Sequence, residues 1–249
     1  MPYRAYRYRF YPTPEQVVNL NRTFGCVRYV YNRSLRYRQD AWYERQESVS
    51  YPRNSVLLTE WKKEPERAWL NEVSSVPLQQ SLRHLQTAYR NFFQGRAKYP
   101  NFKKKDGHQS AEYTTSAFKW DGVSLKLAKQ AEPLAIRWSR RFTGKPSIVT
   151  VSRDPAGRYF VSLLVEEAAA LLPAVNVAIG IDVGIKDVVV TSEGVASGNP
   201  RQTAKYATRL AKYQRRLARK QRGSNNRRKA KLKVARVHAK IADCRKDFT

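Results

Sequence analysis

Two β-branched runs, Val177-Ala178-Ile179 and Val188-Val189-Val190-Thr191, flank the octet Gly180-Ile181-Asp182-Val183-Gly184-Ile185-Lys186-Asp187, and no other stretch restricts the fold as closely. The pattern reads as a strand, a tight turn and a return strand. Val177, Ile179 and Ile181 fall on one face of the first strand and Asp182 on the other, because successive side chains alternate. A carboxylate near the end of a buried strand is fixed in place, which suits a divalent metal ligand. An aspartate beside a hairpin turn is also ordinary. On these residues alone both readings stand.

Charge narrows the partner. Lys and Arg number 48 against 20 acids, a formal charge of +28, and 12% of the 249 residues are aromatic. That combination points to a polyanion, nucleic acid above all, rather than a membrane surface. The longest apolar stretch, Ala168 to Val175, is short and contains Pro173, so no bilayer span is expected, and the N-terminus does not read as a signal peptide. At 41% hydrophobic the chain can build one large or two modest cores. Cys26 and Cys244 form no CxxC pair and read as reduced, buried thiols of a cytosolic protein. His84, His108 and His238 lack ligand spacing, so zinc is not expected.

Along the chain, Tyr6, Tyr8 and Phe10 alternate with Arg7 and Arg9, a half-buried strand with a basic face. Thr13-Pro14-Glu15-Gln16 supplies an N-cap, a proline at the first helical position and a capping-box glutamine. Val17, Leu20, Phe24, Val27 and Tyr31 then give a helical stripe, decorated by Arg22, Arg28, Arg33, Arg36 and Arg38. A helix-turn-helix and a core-packing helix with a basic outer face both fit. Trp61 and Trp69 suit a local helical core, and Leu78, Leu82, Leu85, Tyr89 and Phe92 make a further stripe. The loop Gly95–Lys105 interleaves Tyr99 and Phe102 with Lys103, Lys104 and Lys105. It reads as a nucleic-acid grip, because as a plain solvated charge run it would leave both aromatics without a partner.

Residues 110–166 carry strand signals at Tyr113–Trp120, Val123–Lys126, Leu134–Trp138, Ser147–Arg153 and Arg158–Glu166, with Asp121-Gly122 as a hairpin turn. With the first strand these predict a small antiparallel barrel or sheet, interrupted by the helical segment 13–105. After a linker at 168–176 and the central hairpin, Asn199-Pro200-Arg201-Gln202 starts an αα-hairpin with a thin apolar seam. Its outer faces carry Arg215, Arg216, Arg219, Lys220, Arg227, Arg228 and Lys229.

Five stretches in this order resemble the TnpB (OrfB) family of transposon-encoded, RNA-guided DNA nucleases, relatives of the type V CRISPR effectors. They are Gly25–Asn32, the Leu78–Phe93 helix, Lys98–Lys103, Gly180–Gly184, and Asn199-Pro200-Arg201 leading into the basic hairpin. The resemblance implies an α+β, multidomain architecture. An oligonucleotide-binding-like β-barrel, the wedge domain (1–12 and 106–167), would hold a helical recognition insertion (13–105). An RNase H-like (RuvC-like) α/β domain with a basic helical hairpin would begin at 177 and be incomplete at 249. It further implies a prokaryotic, DNA-associated protein and Asp182 as the first of three carboxylates around Mg²⁺. The family's later Glu and Asp, and the zinc ribbon between them, have no counterpart here. Asp187, Glu193 and Asp243 do not match the missing positions.

The expected function is therefore guide-RNA and DNA binding with an incomplete nuclease site. The alternatives are the N-terminal portion of an active endonuclease and a structural RNA-binding protein. The expected nucleic-acid contacts are Arg7, Arg9, Arg28, Tyr99, Phe102, Lys103, Lys104, Lys105 and the seven cations of the hairpin.

Overall fold

The structure, a computed structural model, describes residues 2–168, 173 and 175–248. Most of the expected 168–176 linker, and Thr249, lie outside the described residues. The chain divides into two compact units, Met1–Ala169 and Ala170–Thr249.

The first unit runs β1 (Tyr3–Phe10), α1 (Pro14–Arg45), α2 (Tyr51–Lys63), a 3-10 helix (Pro65–Asn71), α3 (Ser75–Phe93), β2 (Gln109–Thr114), β3 (Phe118–Trp120), β4 (Leu125–Leu127), β5 (Ile136–Arg137), β6 (Pro146–Arg153) and β7 (Tyr159–Glu166). Five strands hydrogen-bond in the order β2-β6-β7-β1-β5, each pair antiparallel. The register builds two inner rows across the sheet, Tyr8–Val161–Val151–Ala111 and Tyr6–Leu163–Val149–Tyr113, and every one of these side chains is buried. The alternate residues Arg7, Arg9, Phe160, Ser162 and Thr150 occupy the opposite face, as the two-residue period requires. Among the described residues the end strands β2 and β5 do not pair, so the ladder is an open sheet, not a closed barrel, which would require those ends to meet. The hairpin β3–β4 turns at Asp121-Gly122 as the sequence predicts and inserts Leu125 and Leu127 into the core.

Helices α1 and α3 cover the inner face. Leu20, Phe24, Leu78 and Leu82 belong to one core with Tyr8, Phe10 and Val161, so the helical segment and the sheet share a single interior. Trp61 joins it, whereas Trp69 lies at the surface, edge-on to Tyr29 at 5.0 Å. Cys26 is buried and its thiol is pushed up to about 11 by that burial, while Cys244 is only half-buried, against expectation.

The start of α1 follows its sequence signal. Thr13 Oγ1 accepts from the Gln16 amide at 3.3 Å, and Gln16 Oε1 accepts from the Thr13 amide at 3.1 Å. The structure adds a role the sequence hid: Gln16 Nε2 donates to the carbonyls of Glu132 (3.2 Å) and Pro133 (3.0 Å), tying the helix to the loop before β5. Gln16→Ala removes the box and both bonds to the loop before β5, a cost of about 2 kcal/mol. The melting temperature should then fall by about 4–8 °C. A circular-dichroism melt checks this, and an unchanged midpoint would show that the bridge contributes nothing.

Candidate nucleic-acid interface

In the second unit, β8 (Ile181–Asp182) pairs with β9 (Val190–Thr191) through Ile181↔Thr191 and Asp182↔Val190. The hairpin expected from sequence forms, but its ladder is two residues long and the connection Val183–Val189 is a wide loop, not a tight turn. Val195–Gly198 lies along the far side of β9: Thr191 donates to the carbonyl of Val195 at 2.9 Å, and Val188 to that of Gly198 at 3.1 Å. Val177, Ile179 and Ile181 are exposed in this unit, as is Asp182. The buried strand that would fix the carboxylate is thus absent among the described residues. Two paired strands with an uncovered apolar face bury too little to extend further.

Nor do other acids gather around it. Among the described residues no group of three or more His, Cys, Asp or Glu could hold a metal ion, so Asp187, Glu193 and Asp243 do not complete a site with Asp182. Mg²⁺ demands an octahedral oxygen shell, and a two-ion hydrolytic site needs several carboxylates at once. The residues present do not fit that pair of ions.

The basic hairpin is better formed. Helix α4 (Gln202–Ala218) and helix α5 (Asn225–Phe248) pack along a seam in which only Val237 and Ile241 are buried. Asn199 holds the entry: its Nδ2 donates to the carbonyl of Ile185 at 2.7 Å and its Oδ1 accepts from the Arg201 amide at 2.9 Å. Ser224 caps α5 through the Arg227 amide at 3.1 Å. The Arg227 guanidinium turns back on α4, donating to the carbonyls of Leu217 (3.0 Å) and Lys220 (2.9 Å). Both carbonyls lie at the C-terminal end of α4, where that of Leu217 also accepts from the Lys220 amide at 3.1 Å, so Arg227 staples the turn. Arg228 bonds Asn225.

Arg216, Arg219, Lys220, Lys229 and Lys233, with Tyr213 and Asn226, line one concavity of about 520 Å³ that contains no acid. A hydrogen bond from Arg209 and the charges of Arg209, Lys233 and Arg216 hold the Tyr213 phenol below its ordinary value, a local sign of the positive field. Arg216, Arg219, Lys220 and Lys229 of the sequence reading thus converge, and Lys233 joins them.

The first unit has a second basic cleft, about 280 Å³, lined by Arg28, Lys103, Lys104, His108 and Gln109. Arg28 donates to Gln109 Oε1 at 2.8 Å. Burial, then Arg7 and Lys103 nearby, depress His108 despite Asp154, so it stays neutral near pH 7. Lys103 departs from the expected grip. Its backbone is clasped by Asn32 (2.8 and 3.0 Å), its ammonium lies 4.3 Å from the Tyr31 ring centre, and burial lowers its ordinary value. Lys104 and Lys105 remain exposed.

Tyr99 also departs, for it has partners: edge contacts to Tyr89 at 5.6 Å and Phe92 at 5.2 Å, and a hydroxyl bond to Tyr89 at 2.9 Å. Phe102 is exposed. On the outer sheet face Arg7 and Arg9 stack on Phe160, at 4.0 and 5.2 Å.

Residues 161–249 match the family model described as "Probable transposase" of the OrfB IS605 type, and residues 1–47 match its companion, described as a helix-turn-helix domain. A relative from Streptomyces pristinaespiralis, described as a "Putative RNA-guided DNA endonuclease", is 57% identical over 248 residues, covering 98% of this chain and 62% of its own. The chain belongs to the TnpB (OrfB) family. InsQ of Escherichia coli K12, described in the same words, is 31% identical over 247 residues, 98% of this chain and 61% of that one. The chain thus spans about three-fifths of the length of these TnpB relatives. It is also similar to the Cas12f1 chain of a complex with sgRNA and target DNA, at TM-score 0.37 and 10% identity over 99% of this chain and 67% of that one, too low a score to argue from. The helix-turn-helix description meets a different geometry here, since Pro14–Arg45 is one unbroken helix. Among the described residues no helix is long and apolar enough to cross a membrane.

Proposed function

We propose that this TnpB-family chain binds a structured guide RNA and, with it, DNA, in the service of a transposable element, while its metal-dependent nuclease site is incomplete within these 249 residues. The observation that carries the reading is the convergence of five cations, with no acid among the lining residues, on one concavity of the αα-hairpin. Solubility does not require charges to converge, whereas a phosphate backbone does. The open sheet with α1 and α3 serves as the wedge with its recognition helices, and the β8–β9 hairpin with α4 and α5 as part of a RuvC-like domain. A second reading, in which Asp182 belongs to a complete nuclease, is favoured by the length of the relatives beyond the matched part.

The test is RNA affinity as a function of salt. Binding that releases counterions weakens linearly with log salt, by about 0.7 per phosphate contact on a single strand. Lys104→Ala with Lys105→Ala should therefore flatten the slope by about 1.4. Lys103→Ala should instead lower thermal stability, because its stem and ammonium pack on Tyr31. Fluorescence anisotropy on a labelled single-stranded RNA measures the slope, and a slope unaltered by the double substitution removes the loop from the interface.

A further inference from the structure

Helices α1 and α3 of the first unit both end in left-handed turns, and residues on either side of those turns line one cleft. Gln46 closes α1 at φ 55°, and Gly95 closes α3 at φ 69°. After Gly95 the amides of Arg96 and Ala97 return to the carbonyl of Asn91, and the chain folds Tyr99 back onto Tyr89 and Phe92. The resulting cleft, about 330 Å³, is walled by Trp42, Tyr43, Tyr89, Phe92, Phe93 and Tyr99. That is near the small end of ligand pockets, which begin at roughly 300 Å³.

Two features separate it from an ordinary apolar dimple. Its inner wall is locked: Arg38 lies 3.9 Å from the Tyr89 ring centre and donates to Gln86 at 2.9 Å, and Tyr89 and Tyr99 join their hydroxyls. Its outer aromatics are left open, Trp42 at 52%, Tyr43 at 78% and Phe93 at 76% exposure. Rings presented to solvent beside a fixed wall are a stacking platform.

We propose that this cleft takes one unstacked base of a single-stranded nucleic acid, sandwiched among Trp42, Tyr43 and Phe93, with Gln39 and Ser48 at its polar edge. The charge beside it selects that occupant. From residue 85 to 105 the chain carries Arg90, Arg96, Lys98, Lys103, Lys104 and Lys105 and no Asp or Glu. The acid at the mouth, Glu47, is already paired to Arg45 at 3.1 Å. A strand whose phosphates track the basic loop brings its bases to the rings. This inference rests on the nucleic-acid reading above and assigns it a contact.

The test uses the full chain and a twelve-nucleotide single-stranded RNA of mixed sequence, beside the same sequence as a duplex. Trp42→Ala and Phe93→Ala should each weaken single-strand binding by about tenfold. They should leave duplex binding within about twofold and the salt slope unaltered, since no phosphate contact is lost. Phe93→Trp should restore the affinity, because any flat ring stacks. Both positions are exposed, so circular dichroism should report wild-type melting. Equal losses on single strand and duplex would overturn the proposal, as would no loss on either. A dimer in sedimentation that Phe93→Ala dissociates would overturn it too, by making the cleft a protein contact. If the wild type binds RNA with the expected salt dependence and the ring variants do so equally, this inference alone fails. If the wild type binds no RNA, the functional reading fails with it.

Discussion

Replacing Arg216, Arg219, Lys220, Lys229 and Lys233 by glutamine lowers RNA affinity by about 10²–10³-fold near 0.2 M salt. The magnitude comes from counterion release: on a single strand each phosphate contact contributes about half a log unit at that salt, and the five act on one concavity. The loss should grow as salt is lowered, because the released ions are then worth more. Folding should not suffer. All five side chains are exposed, glutamine keeps nearly the helix propensity of lysine and arginine, and like-charge repulsion is relieved. Arg227→Gln is the informative contrast, for its guanidinium closes the end of α4. It should lower helix content on heating while altering the salt slope little. Nitrocellulose filter binding at three salt concentrations measures the first effect and circular dichroism the second. If the five-fold substitution costs less than about threefold in affinity, RNA lies elsewhere on the chain.

The two helical ends show which physical signals a sequence carries and which it does not. Thr13-Pro14-Gln16 was readable because a cap is satisfied by residues three apart, and the alternation of β1 because one sheet face is buried along its whole length. The second bond of Gln16 was not readable, since its acceptors lie more than a hundred residues away. Tyr99 and Lys103 have packing partners that were not readable for the same reason. Both sit in a loop of nucleic-acid-binding composition, yet both are partly spent on packing, on Tyr89 and Tyr31. Arg227 could have been suspected, because the last carbonyls of α4 need donors and an arginine stands just beyond the turn. The hairpin at 180–191 has clear β propensity, but propensity does not supply a neighbouring layer, and without one only two residue pairs form. For Asp182 the strand and the acid were legible. A surrounding set of ligands was not, and among the described residues none assembles.

The 249-residue chain, loaded with guide RNA and Mg²⁺, should therefore leave plasmid DNA uncut. Asp182 alone offers at most two oxygens to an ion that wants an octahedral shell, and waters filling the remainder would not seat a second ion or aim a nucleophile in line with the leaving oxygen. Its exposed position on a two-residue strand adds no rigidity to offset this. Asp182→Ala should leave RNA affinity within about twofold, because removing one exposed acid does not delete a phosphate contact. Cleavage should appear when the segment that the Streptomyces pristinaespiralis relative has beyond the matched part is supplied as a separate chain, on the reading that this segment brings the missing carboxylates. In that reconstituted assembly Asp182→Ala should cost at least about 10²-fold in rate, the scale on which losing one preorganised stabilising group slows a reaction. The nicking assay runs all four combinations, wild type and Asp182→Ala, each with and without the added segment. Cleavage by the unaided wild type that disappears in the variant would mean that an acid of this chain reaches Asp182 after all. Rescued cleavage indifferent to Asp182→Ala would instead remove Asp182 from the metal site and leave it a turn residue.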